Sequence, residues 1–301
     1  MPTTAKYSWL PFAAIGVTLV FWASAFVAIR HLGEEIGPGA LSLGRLFIGS
    51  VALGALLLTR PRRWPARADW APLIVCGVLW FGVYNVALNE GERRVDAGTA
   101  AMLIQIAPIL IAILAIVFLN EKPTWFLGAG LLLAFGGVCL ISLSASDGGG
   151  RDVLGVVLCV VSAATYSVSM ILQKPLLRRL SALEVTWFAC TIGAIVCLPF
   201  AGDLASTVQV LPLGSIGWIV YLGVFPTAIA FTTFAYALAR TDASKLGVTT
   251  YIVPPITITL GWLFLDEVTP LLAIVGGVVC LVGVAVARMR PRSRKPQMET
   301  V

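Results

Sequence analysis

Arg94–Glu121 reads RVDAGTAAMLIQIAPILIAILAIVFLNE, and Arg240–Glu267 reads RTDASKLGVTTYIVPPITITLGWLFLDE. A shift of 146 residues superposes the two without a gap, and nine of the 28 positions are identical. The matches are Arg94/Arg240, Asp96/Asp242, Ala97/Ala243, Ile106/Ile252, Pro108/Pro254, Leu114/Leu260, Phe118/Phe264, Leu119/Leu265 and Glu121/Glu267. Each copy is an apolar span with a proline near its middle and an acid at its exit. Charges, proline and acid all in register over this length mark a repeat, so the chain reads as two related halves.

The composition says where such halves reside. The chain has 301 residues, 58% hydrophobic and 12% charged, with a mean hydropathy of +0.93. Ordinary soluble domains carry about 25% charge. Apolar runs of this kind span a membrane, since about 20 residues rising 1.5 Å each cross a hydrocarbon core of roughly 30 Å. The alternating ten-residue pattern of a membrane β-barrel is absent. Ten spans are expected, at 9–30, 37–59, 70–89, 96–119, 124–144, 152–173, 182–201, 215–238, 242–265 and 269–289, numbered 1–10 below. The first is too long and too closely followed by others to read as a cleaved signal peptide. The expected class is therefore an all-α integral membrane protein.

Ser146–Asp152, SDGGGRD, divides the spans five and five, giving halves at 1–146 and 147–301 within one membrane domain. An odd number per half makes the second half enter from the opposite face. The repeat is then inverted, an architecture common in carriers, with the substrate site where the halves meet. Sixteen of the 21 Lys and Arg residues fall on the side of both termini, four on the other, and Arg45 within span 2. The positive-inside rule then places both termini in the cytoplasm. With basic residues confined to short loops, the net charge of +6 carries no nucleic-acid reading. The six cysteines lie inside spans without metal spacing, and His31 sits alone at a span exit. No phosphate-binding glycine loop and no nucleophile–base set appears, so no enzyme activity, cofactor or metal is expected.

Candidate site residues come from the repeat. Pro108 and Pro254 sit near mid-span, where each removes a helical hydrogen bond. A freed carbonyl in lipid needs protein, water or a cavity. One such proline reads as a packing kink, whereas a pair at equivalent places points to a transport path. Gln105 and Tyr251 stand three residues earlier, a spacing that puts each on the same helix face as its proline. A shift of 144 pairs Trp22 with Tyr166, Ser24 with Val168 and Arg30 with Lys174. Trp80, Phe81, Tyr84 and Asn85 add an aromatic and polar face in span 3. Aromatic walls with a few polar tips suit a partly apolar organic ligand. The set Trp22, Trp80, Tyr84, Gln105, Tyr166 and Tyr251 is the expected substrate site.

Arg45 is the costliest side chain, since an arginine near mid-membrane costs roughly 2.5–3.5 kcal/mol on insertion scales. Two readings stay open. It snorkels outward or bonds broken-helix carbonyls, or it holds a substrate carboxylate or gates through Glu90, Glu92 or Asp96. Asp96, Glu121, Glu184, Asp242 and Glu267 all lie near span ends, which leaves passive facilitation and proton coupling both open. Glu121 and Glu267 are expected to bond backbone or neighbouring spans at the helix exits. Glycines in spans 5 and 10 suit close helix contact in a scaffold or between copies.

Taken together, the two five-span halves, Trp22-Ala23-Ser24-Ala25-Phe26, Arg45, and the stretches Ala97–Glu121 and Ala243–Glu267 resemble the EamA-type branch of the drug/metabolite transporter superfamily. The resemblance covers nearly the full chain. It implies a ten-helix carrier in the bacterial inner membrane, with spans 1–4 and 6–9 around a central cavity and spans 5 and 10 outside it. It also implies export of small metabolites by alternating access. Family members that export aromatic amino acids make hydrophobic and aromatic amino acids the first expectation, with lipophilic drugs or other metabolites as the alternative. The partners expected are a small-molecule substrate and the lipid bilayer, with monomer and homodimer both open.

Overall fold

The computed structural model describes residues 9–32, 35–61, 63–94, 103–145, 153–265 and 271–289. Asp96, Ser146–Asp152 and Glu267 lie outside the described residues, as do the side chains of Arg30, Glu92 and Trp262. Spans 1, 2, 5, 6 and 10 are single helices at Leu10–Leu32, Pro38–Leu58, Trp125–Ala145, Val153–Leu176 and Leu271–Ala287. Five helices are long and apolar enough to cross a membrane, and a sixth forms if span 7 is read together with the segment after it. That pair, Ala182–Val196 and Leu198–Val210, is bent by 54° across Cys197. Large apolar side chains such as Phe12, Phe47, Phe118 and Leu132 point outward and stay exposed, as lipid-facing residues would. The chain is an all-α membrane protein.

The remaining spans are interrupted, and the interruptions respect the repeat. Span 3 is Arg67–Cys76, a π-helical segment Gly77–Val83, then Tyr84–Glu92. Span 8 is Leu213–Leu222, a π-helical segment Gly223–Ile229, then Ala230–Leu238. The two π segments lie exactly one repeat apart in number, 146 residues. A π segment widens the helix and leaves carbonyls in need of donors, and such segments are often functional. Side chains supply the donors here. Asn85 Nδ2 donates to the Trp80 and Phe81 carbonyls at 3.2 and 2.9 Å. Thr227 Oγ1 donates to the Leu222 carbonyl at 2.8 Å.

Spans 4 and 9 break just before their prolines. In span 4 a turn at Gln105–Ile106 precedes the helix Ala107–Leu119, whose first turn holds Pro108. In span 9 the helix Ala243–Thr249 passes through a 3₁₀ turn, Thr250–Ile252, into Val253–Leu265, again with the proline in the first turn.

The halves are interlaced. Span 2 packs on the π segment of span 8, and span 7 on that of span 3. A Cβ on Gly223 would lie 3.0 Å from the Arg45 carbonyl, and one on Gly77 would lie 2.9 Å from the Ala189 carbonyl. Both contacts need glycine because backbone meets backbone. Likewise span 1 packs on spans 8 and 9, and span 6 on spans 3 and 4.

Spans 5 and 10 pack against each other beside this core. Gly137 faces the Gly276 carbonyl, where a Cβ would fall 2.6 Å away, while Gly283 faces Ala134 and Gly130 faces Ala287. Cys280 Sγ donates to the Ala134 carbonyl at 3.3 Å. Residues 134 and 280 are repeat equivalents, so the pseudo-two-fold axis passes between them. Partners rise along one helix as they fall along the other, which makes the pair antiparallel and the repeat inverted.

Candidate functional site at the meeting of the halves

Spans 1, 3, 6 and 8 bring six rings together at the centre. Trp22 lies 6.4 Å from both Trp80 and Tyr166, 5.4 Å from Phe231 and 4.9 Å from Phe234, ring centroid to centroid. Trp80 lies 5.0 Å from Tyr166 and 5.1 Å from Phe231. Tyr84 closes the group, 6.2 Å from Tyr166. Tilted and edge-on pairs at these distances are the favoured aromatic geometries. Phe81 backs the cluster against Phe231 at 4.6 Å.

Two polar tips in this cluster make no well-formed hydrogen bond. Trp22 Nε1 and Tyr166 Oη are buried without one, the Thr250 side chain standing near the Tyr166 hydroxyl outside good bonding geometry. They belong to residues paired by the 144-residue shift, so each half contributes one. A buried donor without an acceptor costs about 1–3 kcal/mol, which a bound polar group would recover. None of the rings in contact carries a charge.

Gln105 and Tyr251 follow different courses. Gln105 Nε2 approaches the Thr250 carbonyl at 3.4 Å, reaching from one half into the other. Pro254 has no N–H to offer that carbonyl; the Val253 N–H takes it in the 3₁₀ turn, and Gln105 adds a second donor. Ser167 Oγ donates to the Ala107 carbonyl at 3.2 Å. The structure does not bring Tyr251 to the aromatic cluster. It is fully buried among Ala134, Val248, Cys280 and Val284, against spans 5 and 10, with its hydroxyl unpartnered. The inference from i, i+3 spacing assumed an unbroken helix, and the 3₁₀ turn at Thr250–Ile252 changes the angular register.

Arg45 is buried, and its Nε donates to Thr227 Oγ1 at 3.0 Å. Through the Thr227–Leu222 bond it completes a chain that ends on the last carbonyl of the helix preceding the span 8 π segment. Of the acids proposed as its gate partners, Glu90 pairs with Arg94 at 2.6 Å. Phe231 and Phe234 are members of this cluster that the sequence reading missed. Their repeat counterparts are Asn85 and Leu88, so matching aromatic to aromatic across the repeat passes over them. Their own i, i+3 spacing in span 8 was the signal that could have found them.

The comparisons with known proteins agree with this architecture. The chain matches the EamA-like transporter family twice, over residues 9–143 and 153–289. It belongs to that family. A protein of Streptantibioticus cattleyicolor named as a probable terminal-alkyne amino-acid exporter is 37% identical over 291 residues, covering 95% of this chain and 96% of that one. The uncharacterized transporter YdfC of Bacillus subtilis is 32% identical over 263 residues, covering 87% and 86%. A solved crystal structure aligns with a TM-score of 0.78 at 22% identity, over 92% of this chain and 96% of the other, and shows the same fold.

Proposed function

We propose that this transporter exports small amphipathic metabolites, first among them amino acids with hydrophobic or aromatic side chains, by alternating access between its halves. It sits in a bacterial inner membrane with both termini in the cytoplasm and acts as a carrier rather than a catalyst. The observation that carries the substrate class is the uncharged aromatic cluster with two unpartnered donors, one from each half. The rings offer an apolar slot and the donors, Trp22 Nε1 and Tyr166 Oη, offer hydrogen bonds to a polar end. The relative named for a terminal-alkyne amino acid supports the same class, since an alkyne is a slim apolar side group. Purified protein in liposomes preloaded with radiolabelled phenylalanine, leucine or propargylglycine tests it. Downhill release above protein-free liposomes is expected. Release of none of them, with release of lipophilic cations instead, would replace amino acids by drugs. Repeating the release across a pH gradient separates proton coupling from facilitation.

A further inference from the structure

Glu121 leaves span 4 in the first half and ends in the second. Its Oε1 accepts from the Ala243 N–H at 2.6 Å and from Lys174 Nζ at 3.3 Å. Its Oε2 accepts from the Ser244 N–H at 3.1 Å and from Ser244 Oγ at 2.6 Å. Lys174 Nζ donates in turn to the Thr241 carbonyl at 2.6 Å. One carboxylate thus ties the exit of span 4 to the start of span 9 and the end of span 6. Asn120 sets the turn. Among the described residues it is the one non-glycine with positive φ, at 55°, and asparagine visits that region more readily than most residues.

The helix Ala243–Thr249 already has a capping residue of its own in place. Asp242 occupies the N-cap, where aspartate normally accepts from the backbone two or three residues on. It makes no such bond here and instead pairs with Lys245 at 2.6 Å. The cap comes from the opposite half while the local one stands aside. Beside it opens a concavity of about 460 Å³, with Lys122 on one wall and Arg178 on another.

We infer that Glu121 is the latch that holds this end of the transporter shut, and that Asp242 takes over as the cap of span 9 when the halves part. This rests on the alternating-access reading above. The exchange keeps the Ser244 N–H of span 9 bonded in both states, while the Ala243 N–H turns to water at the opened end. The sequence repeats the pair at the other end as Asp96 and Glu267, with Gly98 in place of Ser244. That second end lacks the serine hydroxyl donor, so the latch described here is the stronger by composition.

Two experiments test it. In the first, the six native cysteines are replaced and Gln173→Cys is introduced. Gln173 is 1% exposed and adjoins Lys174. Its reaction with a membrane-impermeant methanethiosulfonate needs no transported substrate, so it is independent of the amino-acid reading. Glu121→Gln should speed that reaction at least tenfold, Asp242→Ala should slow it, and Lys174→Arg should leave it within twofold. An unchanged rate in Glu121→Gln, or in Asp242→Ala, overturns the exchange. In the second, Lys122→Cys and Arg178→Cys leave the latch intact and are joined by a short bifunctional thiol reagent. Release of any solute that the parent protein moves should stop, and reduction should restore it. Undiminished release from fully joined protein shows a static cap and overturns the latch.

Discussion

Gln105 Nε2 lies 3.4 Å from the Thr250 carbonyl, an oxygen that Pro254 cannot serve and that the Val253 N–H bonds in the 3₁₀ turn. The break in one half is thus served by a side chain from the other. Where lipid surrounds the bundle, water is not available to do so. Gln105→Leu removes the donor and keeps the bulk. It should lower the thermal midpoint in detergent only modestly, in line with about 0.5–1.5 kcal/mol for one hydrogen bond, since the Val253 N–H still bonds the carbonyl. Gln105→Glu, protonated at low pH, should recover part of that loss.

Trp22 Nε1 and Tyr166 Oη are the donors that await a partner. Tyr166→Phe removes one and keeps the ring. The apparent KM for release should rise about tenfold, the equivalent of about 1.4 kcal/mol. The thermal midpoint should hold or rise, because an unpaired buried hydroxyl has been taken out. A KM that does not move would place the substrate elsewhere.

Thr227 links Arg45 to the π segment of span 8. Thr227→Val leaves both the Arg45 N–H and the Leu222 carbonyl short of this partner. The expected loss is about 1–3 kcal/mol, read as a lower yield of monodisperse protein and a lower thermal midpoint. Thr227→Ser keeps the hydroxyl and should retain most of the stability.

Gly136 and Gly137 are neighbours in span 5 with opposite surroundings. A Cβ on Gly137 would meet span 10 backbone at 2.6 Å, whereas one on Gly136 would meet nothing within 4 Å. Gly137→Ala should therefore push spans 5 and 10 apart at a cost of about 1–3 kcal/mol. Gly136→Ala should be neutral or slightly stabilising, since alanine favours the helix. Equal effects in a thermal melt would mean that the two spans do not approach this closely.

Much of the architecture was legible because it depends on local rules. Apolar runs of membrane length, an odd number per half and a gapless 146-residue repeat suffice for an all-α inverted bundle. Pro108 and Pro254 marked the broken spans, since a missing N–H has the same consequence wherever it stands. Trp22, Trp80, Tyr84 and Tyr166 could be grouped by spacing and by the repeat. The glycines of spans 5 and 10 could be assigned to scaffold contact.

Tertiary structure alone decided the rest, because it depends on angle and on partners far along the chain. Tyr251 shares its repeat position with Gln105, yet the 3₁₀ turn directs it to the scaffold. Phe231 and Phe234 reach the centre from positions whose repeat counterparts are not aromatic. Arg45 finds Thr227 182 residues away, and Glu121 finds Ser244 across 123. Composition and period show that a charge must be satisfied in the membrane. Which atom satisfies it depends on how the two halves interlace, and that is a property of the packed bundle.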